Sequence, residues 1–363
     1  MRVLVTTPLL AKAGGVAEYL RVVRPHLHGD VEYLTVGARS DHESTPEVLT
    51  RLVKDCGRFA RALLRGGHTI VHLNPSLGSK ALIRDGLLLL IAKIFRKTVI
   101  VFTHGWDEKC EHLIEKHFRS LFRSVYGRAD AFIVLGSQFK ERLRLAGYEK
   151  TVFVHAAPVD DQLLVEARRN RIRTRPGEEY QRFNILYLAR IEKLKGIYDA
   201  LDAYASLKAE HPFVSLTVAG DGCELRDAKR YAISQKLADV FFLGHLDGRL
   251  KLASFRSADA YLFPSYTEGL PISVLEAMAY GLPVVTCAVG GLGDFFENGR
   301  MGFITESHDP LVLSSLLGRL LDQPVLCRRI SIFNRRYAAK HFAAARIAAE
   351  LQNVYQFLAG SAH

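Results

Sequence analysis

Phe263–Pro283 reads FPSYTEGLPISVLEAMAYGLP. An apolar strand ends at Phe263, and a short loop carries Glu268, Gly269 and Leu270. Pro271 suits the first turn of a helix, where its missing N–H has no intrahelical partner. The helix then runs through Glu276 and Met278 and stops near Gly281, and a further strand is expected over Pro283–Thr286. Strand, loop, helix and strand in one run is the pattern of a parallel α/β sheet. The helix start presents unsatisfied N–H groups and a positive dipole end, which suits a diphosphate. Gly269 lets the backbone approach a ligand without a Cβ in the way.

The same alternation extends in both directions. In the first half the expected strands are Arg2–Thr6, Thr69–Leu73, Val99–Thr103 and Ala131–Leu135, with helices such as Val16–His26 and Ser137–Leu145. In the second half they are Asn184–Leu188, Ser215–Ala219, Val240–Leu243, Ala260–Phe263 and Pro283–Thr286. The basic, Pro- and Gly-containing stretch 167–182 separates the two series and reads as a linker. The expected organisation is a first Rossmann-like domain over 1–166, a nucleotide-binding Rossmann-like domain over 183–342, and a C-terminal helix over 343–363 that crosses back to the first domain. The fold class is α/β, with the two domains facing across a cleft. At 363 residues the chain is long for one core.

Ligands of open parallel sheets bind beyond the carboxyl ends of the strands, so the residues just after each strand are the candidates. Leu188–Gly196 reads LARIEKLKG and offers Arg190 and Lys195. Two cations can stabilise the charge of one diphosphate, Arg as a planar fork and Lys as a point charge. Gly14 and Gly15, in AGGV after the first strand, form a candidate phosphate-approaching loop. His104 follows VIVFT, where it can face a ligand and hydrogen-bond it, and Trp106 and Asp107 come next. Gly222 lies in AGDG, and His245 and Leu246 lie in FLGHL, each just after a strand. Glu268 sits in a loop and Glu276 about one and a half helical turns on, so the two carboxylates can reach different parts of one ligand.

Glu268 and Glu276, with seven residues between them in EGLPISVLEAMAYGLPVV, resemble the signature of family-four retaining glycosyltransferases of the GT-B fold. The resemblance is specific over 184–303 and weaker over 1–160. It implies that Glu268 contacts the donor sugar and Glu276 the ribose, that Arg190 and Lys195 form the family's Arg…Lys-Gly element, and that backbone around His245 and Leu246 reads the base. Gly269, Leu270 and Pro271 then join Gly14, Gly15 and Gly222 around the nucleotide, and His104 meets the donor sugar. Two places depart from the family pattern. GGLGD at Gly290–Asp294 ends in Asp where the family usually has Glu, and AAPVD at Ala156–Asp160 lacks the family's Asn-Gly, which reads as a structural site. The implied donor is a UDP- or GDP-linked sugar, and the implied acceptor is a glycan or lipid-linked glycan.

Composition removes several classes. The five cysteines contain no CxxC pair, which argues against a zinc ribbon or thiol-redox site and suits a reducing cytosol. GxGxxG is absent from the Gly14 loop, which counts against NAD. No Asp-x-Asp occurs, so no metal or other cofactor is expected, and the two cations take the role of a diphosphate-bridging metal. A glycan phosphorylase would need a pyridoxal lysine and a longer chain; a nucleotide-sugar epimerase is the nearer rival. The start MRVLVTTPLL reads as a strand rather than a signal peptide. The apolar run Leu87–Ile91 is far short of a membrane span. The net charge of +11 is uneven, with 29 Lys and Arg against 20 Asp and Glu in residues 1–180 and 20 against 18 in the rest. That asymmetry suits an anionic membrane surface, with nucleic acid not expected as a partner. The apolar segment Ala81–Lys97, ending in Lys93, Arg96 and Lys97, reads either as the candidate for attachment on the inner face of the plasma membrane or as a buried helix whose cations mark its exposed C-terminal end. A basic binding protein with an inactive transferase site is the reading from a different class; the Arg190, Lys195, Glu268 and Glu276 set argues against it.

Overall fold

Two six-stranded sheets, parallel throughout, carry the chain. The computed structural model describes residues 1–11, 14–39, 43–75, 79–105, 108–169 and 182–360. The first sheet is built from β1 (Arg2–Thr7), β2 (Asp30–Thr35), β3 (Ile70–Leu73), β4 (Thr98–Thr103), β5 (Ala131–Val134) and β6 (Thr151–Val154). Its order is β2-β1-β3-β4-β5-β6. The helices along this half are α1 (Gly15–Val23), α2 (Thr45–Arg65), α3 (Ser79–Ile94), α4 (Glu108–Leu113), α5 (Arg119–Tyr126), α6 (Ser137–Leu145) and α7 (Asp161–Arg169).

The second sheet contains β7 (Phe183–Leu188), β8 (Val214–Ala219), β9 (Val240–Gly244), β10 (Ala260–Phe263), β11 (Val284–Cys287) and β12 (Gly302–Thr305), in the order β12-β11-β10-β7-β8-β9. Its helices are α8 (Ile197–Glu210), α9 (Leu225–Ser234), α10 (Gly248–Ser257), α11 (Ile272–Tyr280), α12 (Pro310–Asp322) and α13 (Pro324–His341), followed by α14 (Ala344–Gly360). The central strands are short apolar runs buried along their whole length, as IVHL in β3, AYLF in β10 and VVTC in β11. Strands covered by helices on both faces need that continuous apolar character.

The chain divides into one unit of Met1–Pro158 with Ala344–His363 and a second of Val159–Ala343. The expected linker 167–182 begins inside α7, which packs against α11 and α13 in the second unit, and residues 170–181 lie outside the described ones. In the AAPVD stretch the Val159 N–H donates to Phe342 O at 2.7 Å, and Asp160 Oδ1 accepts from the Gln162 N–H at the start of α7.

The C-terminal helix α14 belongs to the first unit, against α1. Its Tyr355 hydroxyl lies 2.6 Å from His72 Nδ1 on β3. His72, His104 and His155 surround Phe102, and burial holds each below the usual histidine range, His72 at about 3. A histidine kept neutral by the fold opposes protonation that the unfolded chain accepts. Its contribution to stability is complete above about 6.5 and is lost as pH falls towards the folded value. Thermal melts from about pH 7.5 to about pH 5 should therefore show a falling midpoint, with at most about 1.4 kcal/mol per pH unit per histidine. His72→Gln should shallow that dependence; an unchanged slope would remove His72 from it.

Candidate active site

In the second sheet the chain moves outward from β7 through β8 to β9, then returns to place β10 on the other side of β7. The carboxyl ends of β7 and β10 therefore flank the topological switch point, the usual place for a ligand in an open parallel sheet. The loop after β7 brings Lys195, and the loop after β10 brings Glu268. The Lys195 ammonium lies 2.6 Å from Glu268 Oε1 and donates to Thr267 O at 3.0 Å. Ser265 Oγ donates to the same carboxylate oxygen at 3.3 Å. The two side chains are 12% and 16% exposed, enough to be reached and dry enough for their charges to count.

Local geometry explains why these loops meet. Gly196 has φ 71°, and a Cβ there would lie 2.0 Å from Pro264 O, so only glycine allows the two loops to close on each other. The buried Tyr187 hydroxyl donates to Lys195 O at 3.0 Å, and that of Tyr261 donates to Leu188 O at 2.8 Å. Gly290, at φ 55°, would place a Cβ 2.0 Å from Gly269 O, which accepts from the Gly291 N–H at 2.7 Å. The Gly-Gly loop thus braces the Glu268–Gly269 loop from behind, while Asp294 is exposed at the end of the same turn.

Pro271 is the residue capping α11 rather than its first helical residue, with an extended ψ of 106°. Leu270 before it is buried, and Gly281 closes the helix in the left-handed conformation. Glu276 is the fifth residue of α11, 4% exposed, with Oε1 2.6 Å from the Lys251 ammonium of α10. The two glutamates therefore occupy separate ion pairs. Lys251 was not a candidate from the sequence; no spacing rule ties it to a carboxylate on another helix.

The remaining candidates are more dispersed. Arg190 is 61% exposed and its guanidinium lies 2.6 Å from Glu192 Oε1, with no bond to Lys195 or Glu268. Gly222 packs on the Arg190 loop, where an added Cβ would lie 2.4 Å from Ile191 O. The Gly220 N–H donates to Gly244 O at 2.7 Å, joining the loop after β8 to the end of β9, beyond which His245 is exposed and Leu246 half-buried. Gly14 caps α1 and Gly15 opens it, and among the described residues nothing lies within 4 Å of an added Cβ at either. His104 follows β4, and its Nε2 lies 2.9 Å from Asn74 Oδ1. Asn74, after β3, is a second polar group that the sequence did not single out. Ala13, Trp106 and Asp107 lie outside the described residues.

Segment Ala81–Lys97 corresponds to α3 and the residues after it. Leu88, Leu89 and Ala92 are fully buried in the first core, and Lys93 pairs with Asp130. Among the described residues no helix is long and apolar enough to cross a membrane.

Two all-parallel sheets with a paired lysine and glutamate at the second switch point define a protein of the GT-B fold class. Sucrose-phosphate synthase from Thermosynechococcus elongatus superimposes with a TM-score of 0.76 at 19% identity, over 99% of this chain and 100% of that one. Anabaena Alr3699/HepE, solved in complex with UDP and glucose, gives 0.73 at 16% identity over 98% of this chain and 99% of that one. At these identities the likeness is one of fold. Residues 168–337 match the model of the glycosyl transferases group 1 family, which bears out the resemblance drawn from the Glu268–Glu276 string. The glycogen synthase of Mycobacterium tuberculosis (strain CDC 1551 / Oshkosh) is 33% identical over 189 residues, 51% of this chain and 44% of that protein. The chain thus aligns with less than half the length of that curated relative.

Proposed function

We propose that the protein transfers a sugar from a UDP- or GDP-linked donor to a hydroxyl of a glycan or lipid-linked glycan, with retention of anomeric configuration. The observation that carries the reading is the Lys195–Glu268 pair at the switch point before α11, inside the segment that matches the glycosyl transferases group 1 model. In this reading the Lys195 ammonium turns to the diphosphate, joined by Arg190 once it leaves Glu192, and the α11 N-terminus adds its dipole. Glu268 accepts from a donor-sugar hydroxyl and Glu276 from the ribose. The bond from the anomeric carbon to the diphosphate oxygen breaks. The acceptor oxygen bonds to that carbon on the same face, and its proton passes to the leaving phosphate.

The supply of positive charge by side chains, together with the absence of Asp-x-Asp from the sequence, supports transfer without a metal. UDP- and GDP-sugars screened with excess EDTA should raise the melting temperature by mass action. Transfer should persist in EDTA, with product of the donor's anomeric configuration. Activity abolished by EDTA and restored by magnesium would overturn the metal-independent part. Donor isomerisation without an acceptor would favour an epimerase.

For an anionic membrane surface, α2 is the better-placed element than Ala81–Lys97. Lys54, Arg58, Arg61 and Arg65 are exposed along it, beside Leu49, Val53 and Leu64 at 63%, 65% and 70% exposure. Cations flanking exposed apolar groups suit an interfacial helix. Sedimentation with vesicles should increase with anionic lipid and fade with salt, and charge reversal at Arg58 and Arg61 should weaken it. Absence of binding at low salt would exclude the attachment.

A further inference from the structure

In the first sheet the chain passes from β1 to β2 on one side and returns to β3 on the other, so β1 and β3 flank that sheet's own switch point. Asn74, just beyond β3, spans it: its Nδ2 donates to the Thr6 carbonyl oxygen of β1 at 2.9 Å, and its backbone N–H donates to Thr6 Oγ1 at 3.1 Å. A backbone carbonyl only accepts, so the amide group of Asn74 can face Thr6 only through its NH₂. Its Oδ1 is thereby turned to His104, 2.9 Å from Nε2. An amide oxygen carries no proton, so the proton of that hydrogen bond belongs to Nε2. Burial and the neighbouring His72 and His155 keep the ring neutral near neutral pH, with one N–H in all. The ring is held in place by Phe102, stacked at 3.9 Å between centroids, and by Tyr19, edge-on at 4.9 Å.

We infer that Asn74 is a positioning residue that fixes His104 in the Nε2–H tautomer, so that His104 offers Nδ1 to its substrate as a hydrogen-bond acceptor and selects for a sugar hydroxyl that donates. The inference rests on the reading that His104 meets the donor sugar. It narrows that reading: a sugar bearing fluorine, or hydrogen, in place of the contacted hydroxyl has no proton to give and leaves the Nδ1 lone pair without a partner.

The tautomer is read directly from ring-nitrogen shifts of the whole protein labelled with ¹⁵N-histidine, near neutral pH and without ligand, with His104 assigned by the signals missing in His104→Asn. The expected result is Nε2–H in the wild type, a mixture of tautomers in Asn74→Leu, and Nε2–H again in Asn74→Asp, which keeps an oxygen facing the ring. Nδ1–H in the wild type, or an unchanged tautomer in a folded Asn74→Leu, would overturn the assignment; the wild-type spectrum decides even where Asn74→Leu does not fold. The second arm measures affinity for nucleotide sugars with each hydroxyl replaced in turn by fluorine. Besides any position that gives its proton to Glu268, one position should weaken roughly tenfold in the wild type, and the difference at that position should vanish in His104→Phe. Tighter or equal binding of every fluorinated donor overturns the accepting contact. Failure of the wild type to bind any nucleotide sugar is a different result, because it overturns the transferase reading and leaves the tautomer to the spectrum.

Discussion

Lys195→Ala is expected to lower kcat/KM for sugar transfer by about 10³-fold, the largest effect of any single change at the site. Its ammonium is the cation held at the switch point, and in the proposed mechanism its removal leaves the charge developing on the departing nucleotide to Arg190 and the α11 N-terminus alone. It also leaves Glu268, 2.6 Å away in the wild type, as an unneutralised carboxylate beside the incoming diphosphate. Arg190→Ala should lose about 10²-fold, less because Arg190 is 61% exposed and must first leave Glu192. Steady-state kinetics on variants of unchanged circular dichroism check both values. Wild-type turnover in both would remove these residues from the chemistry.

The second large effect concerns stability and binding together. Glu276→Ala leaves the Lys251 ammonium without the carboxylate it pairs with, next to a helix buried over most of its length. Breaking such a pair from one side costs about 3 kcal/mol, which for a domain of this size lowers the melting midpoint by roughly 5–10 °C. The double variant Glu276→Leu, Lys251→Met removes both charges and should recover most of that loss, because a well-packed apolar pair replaces a buried ionic one at little cost. It should not recover nucleotide affinity, since the group proposed to accept from the ribose is gone. A double variant that binds nucleotide as the wild type does would show that Glu276 serves the fold alone.

The sequence made the centre of each sheet legible and left most of the edges obscure. β3, β4, β10 and β11 are apolar runs with no alternation, which is what burial on both faces demands. The three strands that it did not reveal, β2, β6 and β12, are all edge strands. Their sequences DVEYLT, TVFV and GFIT are partly exposed, and a short half-buried strand has a weak apolar signal. The fourth edge, β9, was legible because VFFLG keeps aromatic and branched side chains even where Phe241 and Leu243 are half exposed.

The site divides in a similar way. Glu268, Glu276 and Lys195 stand in strings whose spacing carries information, and the structure places Lys195 and Glu268 in contact. The partners of the candidate site residues were hidden, because Lys251 reaches Glu276 from another helix and Asn74 reaches His104 across two strand ends. Contacts of that kind depend on sheet order and register, which no local pattern encodes. Arg190 shows the converse: a motif residue whose guanidinium pairs with its near neighbour Glu192.

Titration calorimetry of UDP and GDP into the wild type and Lys195→Ala, both in EDTA, tests most directly whether the second switch point is a nucleotide-diphosphate site. One of the two nucleotides should bind the wild type and bind Lys195→Ala at least about tenfold more weakly, the loss expected when a charged partner of a phosphate is removed. Equal affinity for the two proteins, or no binding of either nucleotide to the wild type, would contradict it.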